Sequence, residues 1–492
     1  MGEMPQQKID ELVDVLVVGA GLAGIGAAWR LSRERPGSTV RVLEARAAVG
    51  GTWDLFRFPG VRSDSDMATL SYPFRPWTGP AVTATGGSIR HYIARVAEED
   101  DLLPLVRFHT TVVSAAWSSA AGRWTVDTTV RDPGTGATTP RRYSCAFLYA
   151  CTGYFDHDRG HQPRFAGMDD FRGRFVHPQF WPADLDHAGC RVVVIGSGAT
   201  AVTLVPALAE TAAQVTMLQR SPSYVTALPA TDGLAAALLR VLPARPAHTL
   251  NRAKNVLLTQ AFYELARRRP ERVKRILRGL TLRFLPDPGY VDEHFTPRYE
   301  PWDQRVSVAP DGDLFRAIRA GRAAVITDHI DRFVENGIRL RSGTLLEADV
   351  VVSATGLELR PIGGIALSVD GRPIDLADTI AYRGVMLSGV PNFAYCIGYT
   401  NASWTLRADL STRFVCRLLD RLEQRGHAAA TPSPPPGTER RPLLGLTSGY
   451  VQRAIHRFPR QGGRHPWRTV QNYPLDRLRT LRLYPWRDLR FS

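Results

Sequence analysis

Lysine is almost missing from this chain. The 62 basic residues include only three lysines, Lys8, Lys254 and Lys274, so a formal charge of +15 is carried by arginine. Such a balance invites a nucleic-acid or lipid-surface partner. The arginines are scattered, however, except in residues 267–283 (RRRPERVKRILRGLTLR), and a GC-rich genome accounts for a general excess of arginine codons. No nucleic-acid partner is therefore expected, and peripheral membrane contact through 267–283 is kept only as an accessory property. Cysteine is also scarce. Cys145, Cys151, Cys190, Cys396 and Cys416 are odd in number and form no C-x-x-C pair, which argues against a redox dithiol or a metal site and leaves reduced thiols of a cytoplasmic protein. No apolar run approaches the roughly 18–20 residues that span a bilayer. The leading MGEMPQQKIDELVDVLVVGAG has no charged-then-apolar signal, and Gln6 stands where myristoylation needs Ser or Thr.

At 492 residues, 44% hydrophobic and 22% charged, the chain has room for two or three ordinary domains. The segment VDVLVVGAGLAGIGAAWRL is an apolar strand followed by Gly19, Gly21 and Gly24 and then an Ala-rich helix. In this G-x-G-x-x-G spacing the first glycine makes the tight turn, the second lets backbone approach a pyrophosphate, and the third lets helix and strand pack closely. The next strand, VRVLEA, ends in Glu44, a carboxylate suited to ribose hydroxyls. A second unit, CRVVVIGSGATAVTLVPAL, repeats the arrangement with Gly196, Gly198 and Ala201. Its following strand ends in Arg220–Ser221, a cation and a hydroxyl that suit the 2′-phosphate of NADP. One site is expected to take FAD and the other NADPH.

Two further apolar strands close on Thr-Gly, at Cys151-Thr152-Gly153 and Ala354-Thr355-Gly356, and are expected to mark crossings between the two units. The expected fold is α/β, with two Rossmann-like dinucleotide-binding domains and a helical insertion in the NADP domain. The expected division is 1–150 and 356–430 for FAD, 151–230 and 301–355 for NADP, 231–300 for the insertion, and 431–492 for a Pro-rich connector and C-terminal cover.

Between the two units lies FRGRFVHPQFWP, with Phe171, Gly173, His177, Trp181 and Pro182 at a spacing that fits neither a simple helix face nor a strand face. It resembles the F-x-G-x-x-x-H-x-x-x-W-P fingerprint of type I Baeyer–Villiger monooxygenases. Upstream, GGTWDLFRFPGVRSDSD resembles a second pattern of that family at Gly51, Trp53, Pro59, Gly60 and Asp64. Segments such as WDQR, DGDLFRAIR and GYTNASWTLRADL are most similar to the actinobacterial branch that contains the ethionamide-activating monooxygenase. The resemblance implies that FAD is held at Gly19, Gly21, Ala23, Gly24 and Glu44, at Thr52, Trp53, Asp54 and Leu55, at Asp64, and by backbone near Val112. It implies NADP on Gly196, Ser197, Gly198, Ala199, Thr200, Ala201, Val202, Thr203, Arg220 and Ser221, with Arg62, Ser63 and Asp64 toward the nicotinamide. Many members carry Lys just before the catalytic arginine; here Gln304 precedes Arg305.

By this resemblance the activity is NADPH- and O2-dependent insertion of one oxygen beside a ketone carbonyl, through a C4a-peroxyflavin, to give an ester or lactone. Arg305 is then the catalytic cation and Asp64 its ion-pair partner. Oxygenation of a thioether, thioamide or amine by the same flavin stays open. A flavoprotein disulfide reductase, which shares the two nucleotide folds, would need a redox pair that is lacking. His177 reads as a hinge or docking residue among aromatic neighbours, not as a base.

Overall fold

The computed structural model describes residues 8–79, 81–482 and 486–492; Gln6, read above against acylation, lies outside the described residues. The strand Glu11–Val18 sits between two parallel partners, Val40–Leu43 and Thr138–Ala150. Covered on both faces, it is apolar without alternation from Val15 to Val18, as buried parallel strands are. The long strand Thr138–Ala150 changes partner along its length. Up to Cys145 it runs antiparallel to Arg123–Arg131, which pairs in turn with Thr110–Ser118. From Leu148 onward it runs parallel to Phe393–Tyr395. The chain beyond Gly356 thus adds strands to the first sheet, including Ala366–Val369 beside Thr110–Ser118. The helix Leu22–Glu34 packs on the helix Trp404–Arg425, and the buried Arg30 pairs there with Asp409.

The second sheet is five-stranded and wholly parallel, in the order Ala323–Thr327, Gln214–Gln219, Arg191–Ile195, Val350–Ser353, Arg174–Val176. Its edge strand belongs to the FRGRFVHPQFWP stretch. The helices Gly233–Val241, Ala244–Arg268, Pro270–Leu282 and Pro288–Phe295 are inserted between the paired strands Val225–Leu228 and Ser307–Pro310. Arg252 anchors the longest of them by donating to the carbonyls of Ala68, Thr69 and Ser71. The arginine-rich helix Pro270–Leu282 turns Val273 and Leu277 inward, against Tyr224 and Val306, so those two side chains are spent on packing, while Ile276 is 47% exposed. Among the described residues no helix is long and apolar enough to cross a membrane. The last segment returns to the first unit: Leu489–Phe491 pairs with Ala430–Pro432, and Asp476 forms a buried ion pair with Arg407.

Candidate active site

The two glycine turns are built alike. Gly19 has φ +99°, and a Cβ there would lie 2.8 Å from the carbonyl oxygen of Cys151. Gly196 has φ +132°, and its Cβ would lie 2.4 Å from the carbonyl oxygen of Ala354. Each turn is pressed against the Thr-Gly strand of its own unit, where only glycine fits. A Cβ on Gly24 would meet Gly19 O at 1.7 Å, whereas in the second unit Ala201 is accommodated in the core. The helices that follow, Leu22–Glu34 and Ala199–Leu208, begin at Gly21 and Gly198 with no side-chain cap, which leaves first-turn N–H groups available to an anion.

Both turns open on one cleft of about 1130 Å³. Its first end is lined by Gly19, Gly21, Ala23, Glu44, Thr52, Trp53 and Val112. Glu44 accepts from the backbone N–H groups of Ala20 (2.6 Å) and Arg46 (2.9 Å); burial pushes its carboxyl up while those N–H groups pull it down, with burial the stronger. Asp54 and Leu55, expected at FAD, do not reach the wall. Asp54 is buried and held by Arg46 (2.7 Å) and Arg57 (2.5 Å), and Leu55 belongs to the core. Gly24, Ala201 and Val202 likewise act beneath the surface, since the wall is formed by the residues before them. The second end is lined by Gly196 to Thr200, Thr203, Arg220 and Ser221. Ser197 Oγ bonds to Ser223 Oγ (2.8 Å), tying the glycine turn to the next strand end. Arg220 and Ser221 are exposed, and Arg220 has no ion-pair partner among the described residues.

Between these ends stand Arg62, Ser63, Asp64, Gln304 and Arg305. Arg305 is exposed, its side chain open to the cleft, with protein close around it. Among the described residues it makes no ion pair within 4.0 Å, so the expected contact pair with Asp64 is corrected to an electrostatic interaction at longer range. Burial works against the Arg305 charge, but Tyr154, Tyr450 and Asp64 outweigh it, and its pKa lies above the ordinary arginine value. Burial likewise pushes the Asp64 carboxyl up, against the pull of Arg305 and Arg62. Arg62 turns its guanidinium to Asp313 (2.6 Å) on the helix Asp313–Arg319, so it braces the first unit on the second.

The fingerprint does not line the cleft. A Cβ on Gly173 would lie 2.4 Å from Asp349 O, and the Phe171 ring packs edge-on to Phe333 (5.8 Å). Trp181 joins the apolar core of the second unit, and Pro182 O accepts from Leu185 N. His177 is buried; its Nδ1 accepts from Gln179 N (3.2 Å), which leaves Nε2–H to donate to Gly356 O (3.3 Å). It therefore locks one Thr-Gly crossing, and Gln179 Nε2 grips the other through the carbonyls of Asp156 and His157. The strands after the two crossings, Phe155–Gly160 and Leu357–Leu359, pair with each other.

Sequence reasoning missed Tyr154, Trp404 and Tyr450, which line the cleft with Arg305. Tyr154 stacks at an angle on Trp404 (5.1 Å). Its position was readable, since it directly follows the strand end at Gly153; Tyr450, almost 300 positions further on, carries no local signal.

Residues 71–269 match the flavin-binding monooxygenase-like family, and residues 17–80 match an NAD(P)-binding Rossmann-like domain. Over 475 residues the chain is 49% identical to the FAD-containing monooxygenase EthA of Mycobacterium tuberculosis, covering 96% of this chain and 95% of that one. Its fold matches an oxidized steroid monooxygenase bound to NADP (TM-score 0.75, 23% identity, 98% and 99% covered). It also matches an open form of cyclohexanone monooxygenase (0.74, 19%, 98% and 100%). The chain is a member of the FAD-containing monooxygenases, an oxidoreductase with two Rossmann-like units that take FAD and NADP.

Proposed function

We propose that this monooxygenase uses NADPH and O2 to insert one oxygen beside a ketone carbonyl, forming an ester or lactone. The observation that carries the reading is Arg305: a guanidinium open to the cleft between the two nucleotide turns, and taken by no carboxylate within 4.0 Å among the described residues. The residues fit the cofactors. The uncapped helix start at Gly21 would face the pyrophosphate of FAD, with Glu44 pre-oriented for its ribose. The start at Gly198 and the exposed Arg220 would receive NADPH. When bound, FAD supplies the two-electron chemistry that passes reducing power from NADPH to O2 and one oxygen atom to the substrate.

The chain's own contribution is electrostatic. Attack on a ketone carbonyl places negative charge on oxygen, and a guanidinium stays charged without giving up its proton. At ~4 Å and an effective dielectric of ~20 one such contact contributes on the order of 4 kcal/mol, roughly a thousandfold in rate. Asp64, which lines the same cleft, lowers the field of Arg305 without capturing it. Burial of Tyr154 holds its hydroxyl in the neutral, donating form beside that cation. The cyclohexanone and steroid monooxygenases with this fold are named for carbonyl-bearing or polycyclic compounds, which supports an apolar ketone as the substrate class.

The test is Arg305→Ala. The variant should bind FAD and be reduced by NADPH at the normal rate while losing ester formation roughly a thousandfold. Oxygenation of a thioether builds no oxyanion on carbon, so a sulfide should be spared by the same change. An ester yield unchanged in the variant, or an enzyme that oxygenates sulfides and never ketones, refutes the proposal.

A further inference from the structure

The apolar surface that the helix Pro270–Leu282 buries is replaced by another on the helices before it. Leu234 and Val241, seven positions apart on Gly233–Val241, are 54% and 76% exposed. Leu250 and Leu257, again seven apart on Ala244–Arg268, are 51% and 62% exposed, and Leu258 beside them is 60% exposed. The two helices pack on each other through their remaining faces, so these side chains form an outward apolar surface of a kind that soluble monomers seldom display. Its charge is one-sided. Residues 233–263 contain no Asp or Glu, and the exposed Arg240 and Arg245, at the junction of the helices, have no ion-pair partner among the described residues. Beyond the far end, Arg269, Arg272 and Arg275 are also exposed and unpaired among the described residues, while the acids of that stretch, Glu264 and Glu271, are paired with Arg268 and Lys274.

We infer that this face docks on an anionic lipid surface. A second copy of the chain is the poorer occupant: a two-fold contact would lay the same patch against itself, arginine toward arginine, with no carboxylate from either side. Apolar side chains with flanking arginines, and with the nearby acids Asp232, Glu264 and Glu271 held in ion pairs, are the pattern of a helix pair lying in a lipid headgroup layer. The geometry gives the docking a use. Arg252 bonds the longer helix to the carbonyls of Ala68, Thr69 and Ser71, and the neighbouring Ser65 and Leu70 line the cleft. A docked enzyme would hold its cleft close to apolar molecules dissolved in the lipid. The inference stands on the surface alone and does not depend on which substrate is oxygenated.

Co-sedimentation of the FAD-loaded protein with vesicles tests it. Binding is expected to phosphatidylcholine vesicles containing phosphatidylglycerol at low salt, weakening as salt is raised, and not to phosphatidylcholine alone. The double variant Leu250→Asp, Leu257→Asp should lose vesicle binding while its NADPH oxidation in solution and its Tm stay at the parent values. Arg240→Gln and Arg245→Gln should each weaken binding about fivefold. Absence of binding to anionic vesicles at low salt overturns the inference, as does equal binding by the Asp variant. Overturning it too would be a parent protein that dimerises through this face, by light scattering, and ignores vesicles.

Discussion

Replacing Arg220 by alanine isolates the recognition of one phosphate. The side chain stands at the end of the strand Gln214–Gln219, exposed and without an ion-pair partner among the described residues, so its removal breaks no internal contact. The strand itself is held by Met217 and Leu218, which are buried, and stability should change by no more than ~0.5 kcal/mol. If Arg220 receives the 2′-phosphate of NADPH, truncation removes a hydrogen bond to a charged group, about 1.5–3 kcal/mol. That is roughly a ten- to hundredfold loss of affinity. Gln304, where a lysine would share the task, carries no charge, so little should compensate. NADH, which has no phosphate there, should bind as before. The assay is stopped-flow flavin reduction across a range of each coenzyme, at low and moderate salt. The NADPH preference of the parent should shrink with salt, because an exposed charge is screened over about 10 Å at 0.1 M. Equal weakening of both coenzymes, or no weakening of either, refutes the role of Arg220.

Gly19→Ala places a Cβ 2.8 Å from Cys151 O at φ +99°, and should destabilise by roughly 1–3 kcal/mol and release FAD, read as lost flavin absorbance after gel filtration. Arg407→Ala leaves Asp476 buried without its partner and should cost about 3–5 kcal/mol, measured by urea unfolding; a change below ~1 kcal/mol would mean that the pair is not isolated from water. Burial lowers the pKa of His177 and takes those of His248 and His465 to about 4. Their folded values lie below the ordinary ~6.5, so the unfolded chain takes up protons first. Stability should hold above that pH and fall as pH drops from it toward 4, with a His248→Gln variant showing a shallower fall of Tm; a Tm constant across that window would contradict the burial of these rings.

Much of the architecture was legible because it rests on short-range backbone constraints. A glycine turn between a parallel strand and a helix must carry G-x-G spacing whatever surrounds it, and Gly19, Gly21, Gly196 and Gly198 lie at the cleft as that rule requires. The Thr-Gly strand ends were legible for the same reason. Spacing alone could not divide TWDL into its parts: Thr52 and Trp53 reach the cleft while Asp54 is claimed by Arg46 and Arg57, a choice made by arginines outside the motif. Nor could helical periodicity say which apolar face is covered, since Val273 and Leu277 are buried by Tyr224 and Val306 from other elements, while Leu250 and Leu257 meet nothing equivalent.

What the amino-acid sequence determined by itself was the two nucleotide turns and the chemistry of their strand ends, because glycine geometry and the sign of a charge are properties of a few adjacent residues. What only the tertiary structure decided was the company that Arg305 keeps. Asp64, Tyr154, Trp404 and Tyr450 arrive from four distant stretches of chain, and Arg62, two positions before Asp64, pairs instead with Asp313 of the second unit. Non-local packing sets such distances, and no local pattern encodes them.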